Sequence, residues 1–392
     1  MSPAHLAMLS RTLPFHSIGG MQAVAWDLAR QFAADGLRVS LLTTRIPGRP
    51  ARFEEDGVEV VAFAEAAPER YTAAWWRRSR GYFEEHLMGS VTGVLSVSAA
   101  AYGVLPLKPR LPGVPFVFQA HGTSLGEVLS KWRTRRPKAL LTSLRNLLWV
   151  FKDLYAYPRF ETVVAVGSAV EAELRRPPIR WVLPTDRIRL IRNGIDTTAF
   201  ARDPAVRERM RRNLGLGEGQ RLVVSASRLH RQKGVDLGLR AFARLAGEDP
   251  AVRYLIVGDG PERGDLEALS RAFGIANRVT FAGAIAREQL PQWLQAGDAF
   301  LFTTTRTEGL PLNALEALAV GLPAVVSDSL QSVIEISPAV QGVNPSDTVA
   351  VVEALRRAVA MGPQPGGLLP EPYTLDHCTR QYRRVLGAGD YV

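Results

Sequence analysis

The chain has 392 residues, 46% of them hydrophobic, and a single cysteine, Cys378. That length holds about two domains with real cores, and one cysteine excludes an internal disulfide framework or a cysteine-rich metal site. The net charge of +10 is uneven, with 26 Lys+Arg against 17 Asp+Glu in residues 1–200 and 22 against 21 in residues 201–392, so an anionic partner is expected on the first half only.

In chain order, residues 5–10 read as a first strand, and a loop over 11–20 leads into a helix. That helix places Met21, Val24, Leu28 and Phe32 on one face, and Gly36 stops it. Strands follow at 38–44 and 58–63, a helix at 71–87, and a strand at 114–120 that ends at His121-Gly122-Thr123. Pro137 opens a long helix with Leu140, Leu141, Leu144, Leu147, Leu148, Phe151 and Leu154 at helical spacing. Strand 162–166, a helix from Ser168 and strand 188–192 complete this half. Residues 197–219 are charged and then glycine-rich, which suits a domain connection.

A second series then starts afresh. Strand 221–227, helix 235–246 and strand 254–257 come first, the last ending at Gly258-Asp259-Gly260-Pro261. Helix 266–273, strand 279–281 and helix 289–296 follow, and then strand 299–302, closed by Thr303 to Thr305. Strand 324–327, a helix from Ser346, a Pro/Gly-rich segment at 362–372 and a short helix at 375–386 end the chain. Alternating strands and helices predict two doubly wound α/β domains with parallel sheets, over residues 1–196 and 197–374. Helix 375–392 is expected to return to the first domain. Two facing sheets of this kind take ligands at the carboxyl ends of their strands.

The stretch T-R-T-E-G-L-P-L-N-A-L-E-A at 305–317 places Glu308 on a strand-to-helix loop and Glu316 eight residues later, about one turn into the helix. Pro311 suits the first helical turn. A helix N-terminus attracts a phosphate, and a carboxylate on each side accepts hydrogen bonds from sugar or ribose hydroxyls. The plain alternative is an acidic loop and a solvated helical glutamate. Arg228 and Lys233 follow the first strand of the second series, where cations suit a diphosphate. Gly19-Gly20 is a candidate for close backbone approach to a phosphate, a plain tight turn being the alternative, and the G-x-G-x-x-G dinucleotide fingerprint is missing there. His121 is a candidate for acid/base work or for a hydrogen bond to a substrate hydroxyl; a satisfied structural histidine is the commoner role. The remaining histidines show no metal spacing, and no Asp-x-Asp occurs to hold a divalent ion.

Residues 131–159 hold eight Lys/Arg and one acid, Asp153, with Trp132 and Trp149 interleaved. With residues 75–80 they form a candidate membrane-surface patch; the competing role is a leucine face packed on the sheet under solvated cations. No nucleic-acid module is recognisable. No charged n-region followed by an apolar run opens the sequence, so a secretory signal is not expected, and the uncharged stretch 91–107 is too short and mixed to span a bilayer. A cytoplasmic protein is expected, with a peripheral place at the inner face of the plasma membrane open to it.

Taken together, the order and spacing of these motifs resemble the retaining glycosyltransferases of family 4, of GT-B fold. The likeness spans Gly19-Gly20, His121-Gly122, Asn193-Gly194-Ile195-Asp196, Arg228 with Lys233-Gly234, Gly258-Asp259-Gly260-Pro261, Gly283, Glu308/Glu316 and Gly321-x-Pro323. The resemblance implies a hexosyltransferase that retains anomeric configuration, moves a sugar from a nucleoside-diphosphate sugar to a hydroxyl, and needs neither cofactor nor metal. It implies that Arg228 and Lys233 bind the diphosphate, Glu308 the transferred sugar, Glu316 the ribose, and Gly283 to Ile285 the base. Gly19, Gly20, Gly309 and the amides of Leu310, Leu312 and Asn313 would approach phosphate and sugar, and His121 the reacting centre. Pro311 stands where E-G-F-G has a glycine, and Ser227 where a glycine often precedes the arginine. A lipid-linked or glycan acceptor in bacterial polysaccharide or glycolipid synthesis is implied for the first domain. The rival readings are a sugar-nucleotide epimerase of the same fold and a non-catalytic membrane- or glycan-binding protein.

Overall fold

The structure is a computed structural model and describes residues 3–17, 19–133, 137–306, 308 and 310–388. It divides into two compact units, one taking the chain up to Gly194 and again from Leu375, the other being Ile195–Thr374.

The first unit is built on an eight-stranded sheet. Its strands are β1 (His5–Leu9), β2 (Arg38–Thr44), β3 (Arg52–Glu55), β4 (Val58–Phe63), β5 (Gly93–Val97), β6 (Phe116–Ala120), β7 (Thr162–Ala165) and β8 (Ile188–Leu190). The order is β3-β4-β2-β1-β5-β6-β7-β8. Only β3 runs antiparallel to its neighbour, β4. β1, β5 and β6 are buried at every position, so they read as unbroken apolar runs, as parallel strands covered on both faces do. β5 lies in the stretch whose small residues gave no strand signal. Its Gly93 is needed because a Cβ there would meet Leu6 Cδ2 at 3.0 Å and the Leu386 carbonyl at 3.1 Å. The helix Leu375–Val385 belongs to this unit and buries Leu375, Cys378, Thr379 and Tyr382.

The second unit is a six-stranded parallel sheet: β9 (Arg221–Ala226), β10 (Val252–Val257), β11 (Val279–Gly283), β12 (Ala299–Phe302), β13 (Ala324–Ser327) and β14 (Val340–Val343). Its order is β11-β10-β9-β12-β13-β14. The charged segment 197–219 is more than a connection. It contains the helix Pro204–Asn213, capped by Asp203, whose carboxylate accepts from the Ala205 and Val206 amides. Arg207 and Arg211 lie 2.5 and 3.0 Å from the carboxylate of Asp298, so these charges fasten the helix to the sheet.

Two further expectations are corrected. In the helix Pro137–Ala156 the inward face carries Val150, Asp153 and Leu154, while Leu147, Leu148 and Phe151 are exposed. Leu140, Leu141 and Leu144 have side chains outside the described residues. Trp75, expected in a surface patch, is fully buried, and its indole donates to the Ala100 carbonyl at 3.2 Å.

Candidate active site

In the second unit the chain order reverses between β9 and β12, which lie side by side and parallel. Such a switch point opens a crevice at the carboxyl ends of the strands. The loops leaving these two strands are stitched together there. The Gln232 carbonyl accepts from the Thr305 amide at 3.0 Å and from Thr304 Oγ1 at 2.9 Å, and the Gly234 carbonyl accepts from Thr303 Oγ1 at 2.7 Å. The approach is so close that a Cβ on Gly234, which sits at φ +62°, would lie 1.9 Å from the Thr303 carbonyl oxygen. Only glycine fits.

This stitching brings Lys233 to Glu308. Lys233 Nζ lies 2.7 Å from Glu308 Oε1, and the same oxygen accepts from Thr304 Oγ1 at 3.1 Å. The two side chains are 23% and 17% accessible, so solvent screens the pair only in part. Arg228, on the same loop, is exposed and makes no ion pair among the described residues. One cation here is held by a carboxylate and the other stands ready for an anion.

The helix after Glu308 is Leu312–Val320, and Pro311 is its N-cap at ψ 120° rather than a residue of the first turn. Asn313 ties the helix start to the sheet, its Nδ2 donating to the Ala226 carbonyl at 2.8 Å and its Oδ1 accepting from the Ala314 amide at 3.0 Å. Among the described residues the Leu312 and Asn313 amides have no acceptor within the protein, and they sit at the positive end of the helix. Leu310 and Leu312 are half-buried against the core. Gly309 lies outside the described residues.

Glu316 is buried on this helix, and its Oε1 lies 2.7 Å from Arg287 Nη1. Arg287 comes from the loop after β11, where Gly283 takes φ +76° and its carbonyl accepts from the Gly258 amide at 2.9 Å. Ile285 in that loop packs half-buried on the same core as Leu315 and Leu318. The structure therefore joins Gly283, Ile285 and Glu316 through Arg287, which nothing in the sequence singled out.

In the first unit, Gly19 and Gly20 stand between β1 and the helix Gly20–Ala34, with Gly19 as N-cap. His121 follows β6. β1 and β6 flank β5, so these residues also lie at carboxyl ends beside the reversal of strand order. His121 Nε2 is 3.0 Å from Gln119 Oε1, and Gln119 Nε2 donates to the Tyr382 hydroxyl at 2.8 Å. Because Gln119 Oε1 only accepts, this chain assigns the proton to Nε2 and leaves Nδ1 as an acceptor. The protein packed around the ring lowers its pKa from 6.5 to about 4, so it is neutral near pH 7. A neutral imidazole with a free lone pair receives a hydrogen bond from a hydroxyl. Sequence reading missed Gln119 and Tyr382, which gain meaning only once β6 and the last helix pack together.

Nearby, Asp153 is buried, accepting from Tyr102 Oη at 2.7 Å, Tyr157 Oη at 3.2 Å and the Ser124 amide at 3.3 Å. Burial pushes its carboxyl pKa up against those hydrogen bonds. It anchors the start of the helix that follows His121. Among the described residues no group of three or more His, Cys, Asp and Glu side chains is placed to hold a metal ion.

Two α/β units, with an exposed arginine, a Lys–Glu pair and a helix N-terminus at the switch point of the second, have the architecture of a glycosyltransferase of the GT-B class, and the comparisons with known proteins support that class. Residues 18–199 match the family model "Glycosyltransferase Family 4" and residues 206–362 match "Glycosyl transferases group 1". A GDP-mannose-dependent alpha-(1-6)-phosphatidylinositol monomannoside mannosyltransferase of Mycolicibacterium smegmatis is 34% identical over 315 residues, covering 75% of this chain and 74% of that protein. An alpha-D-kanosaminyltransferase of Streptomyces kanamyceticus is 26% identical over 294 residues, covering 75% and 72%. Among solved structures, a sucrose-phosphate synthase of Thermosynechococcus elongatus superposes with a TM-score of 0.75 at 21% identity, covering 98% of this chain and 100% of that one. Anabaena HepE, in complex with UDP and glucose, gives 0.71 at 17%, covering 97% and 99%. The chain belongs to the family 4 glycosyltransferases.

Proposed function

We propose that this glycosyltransferase is a retaining hexosyltransferase that takes its sugar from a nucleoside-diphosphate donor without a metal ion. The observation that carries the reading is the Lys233–Glu308 contact beside the exposed Arg228. Cations stand where diphosphate charge grows as the sugar leaves, and a carboxylate stands beside them to accept from sugar hydroxyls. Arg228 and Lys233 fill the charge-balancing role that a divalent ion would otherwise have. Glu316, held by Arg287, accepts from the ribose, and the Leu312 and Asn313 amides meet phosphate.

Among the described residues Glu308 is paired with Lys233 and Glu316 with Arg287, so neither is taken as a covalent nucleophile. The displacement is therefore front-face: the acceptor oxygen bonds to the anomeric carbon as the bond to the diphosphate oxygen breaks, and that oxygen takes the acceptor's proton. The acceptor is a lipid-linked or glycan hydroxyl met by the first unit, where His121 Nδ1 accepts, and a lipid-linked one would be presented at an anionic membrane surface in the cytoplasm. The mycobacterial relative's GDP-mannose makes GDP the first base to test.

The test incubates the protein with nucleoside-diphosphate hexoses, GDP-mannose first, and phosphatidylinositol or polyprenyl-diphosphate sugar acceptors, with a chelator present. Hexose on the acceptor with the donor's anomeric configuration supports the reading. Inverted product or chelator-sensitive transfer contradicts it, and donor isomerised without acceptor points to an epimerase.

A further inference from the structure

The helix Pro137–Ala156 has an outer face that the fold leaves bare. Leu148, Phe151 and Tyr155 are 66%, 63% and 66% accessible, and Leu147 is 42%. They recur at spacings of three and four, one stripe opposite the inward Val150, Asp153 and Leu154. An exposed run of large apolar side chains on one helix marks a surface built to be covered.

Charge decides what covers it. Residues 147–159 carry two cations, Lys152 and Arg159, and a single acid, Asp153. Asp153 points inward and is occupied by Tyr102, Tyr157 and Ser124, so the bare face has no carboxylate of its own from this stretch. Lys152 is exposed with Nζ 4.4 Å from the half-buried Trp149 ring, and the Arg159 guanidinium carbon lies 3.5 Å from the Tyr155 ring centre. Both cations are thus braced beside the apolar stripe. A symmetric pairing with a second copy would bring Lys152 and Arg159 toward the same cations of that copy with no carboxylate of 147–159 to offset them. Among the described residues no helix is long and apolar enough to cross a membrane. Apolar and aromatic side chains flanked by cations, on a helix that does not span, fit the boundary between acyl chains and anionic headgroups.

We propose that Leu147, Leu148, Phe151, Tyr155 and Lys152 form the surface by which this chain docks on an anionic lipid bilayer. The inference deepens the lipid-linked acceptor reading and rests on it for the purpose of docking. The binding itself is testable apart from it.

The experiment floats the full chain with vesicles of phosphatidylcholine alone and with about one-third phosphatidylglycerol added. It compares wild type with Leu148→Ser/Phe151→Ser and with Lys152→Glu, while sedimentation records mass and a melting shift with nucleoside diphosphate reports the donor site. The expected result is flotation with anionic vesicles, weakened by salt and weakened about tenfold or more in each variant, with mass and nucleotide shift unchanged. Lys152→Glu keeps the test sound should the double variant fold poorly. Absence of flotation, equal flotation with phosphatidylcholine alone, or variants that float like wild type would overturn the proposal. A wild-type dimer that the variants dissociate would overturn it too, in favour of a self-contact. Lost flotation with an intact nucleotide shift would leave the transferase reading standing.

Discussion

Lys233 Nζ and Glu308 Oε1 lie 2.7 Å apart, although one is assigned to the donor's diphosphate and the other to its sugar. The two groups therefore act as a unit. On the proposed donor assignment, binding shares Lys233 between a carboxylate and a phosphate, and this sharing gives opposite signs to two variants. Lys233→Ala is expected to lower kcat by about 10²–10³, and Arg228→Ala by a similar factor. Glu308→Gln is expected to abolish most transfer yet tighten nucleoside-diphosphate binding about twofold to fivefold, because Lys233 loses its competitor in a partly screened pair. Steady-state rates and calorimetric titration check both; weaker binding in Glu308→Gln would refute the competition.

Arg287 and Glu316 form the second pair. Glu316 has a side chain only 3% accessible, against 22% for Arg287. Removing Arg287 leaves a buried carboxylate short of a partner. Arg287→Ala is expected to cost about 2–3 kcal/mol of stability, less than a fully buried pair would because the guanidinium keeps some solvent. Denaturant unfolding measures it. Glu316→Ala should weaken nucleotide affinity more than kcat, and unchanged affinity would remove it from the ribose.

Gly234 tests the stitching of the two loops. With φ +62° and the Thr303 carbonyl in the way of any Cβ, Gly234→Ala is expected to cost at least about 2 kcal/mol and to lose transfer by separating Lys233 from Glu308. A variant with wild-type melting temperature and rate would contradict the geometry.

His121 gives a pH signature. Its folded pKa, about 4, lies below its ordinary 6.5, so between those values the unfolded chain binds the extra proton and stability falls as pH drops. Burial also lowers the pKa values of His5 and His16, so the acid limb has several contributors. His121→Gln is expected to lose less stability than wild type between pH 7 and pH 5, leaving the share of the other two. Tyr382→Phe removes the hydroxyl that accepts from Gln119; transfer should drop roughly threefold to tenfold as the ring loses its brace, with the nucleotide shift intact.

The alternating strand and helix pattern carried the two sheets, and spacing placed Lys233 and Glu308 on strand-end loops and Glu316 on the helix that follows. What escaped sequence reading is physically of one kind. β5 opens on Gly93, where Leu6 and Leu386 press close, and carries Ser96, so its strand signal was faint. Arg207 and Arg211 lay in a charged segment that read as a domain connection, and their partner Asp298 is far away in sequence. For the leucines of the helix Pro137–Ala156 a membrane face and a face packed on the sheet both stayed open, because periodicity reports a stripe and not which way it faces. Partners distant in sequence, such as Gln119 with Tyr382 or Arg287 with Glu316, left no local trace.

The most direct test of the central claim is a melting-temperature panel of UDP, GDP, ADP and dTDP against the purified chain, with a chelator present, in wild type and Lys233→Ala. A ligand at 100 times its Kd adds about 2.7 kcal/mol of stability. One nucleotide stabilising wild type and losing most of its effect in Lys233→Ala is the predicted result. No shift with any of the four, or an equal shift in the variant, would contradict the assignment of the donor diphosphate to this site.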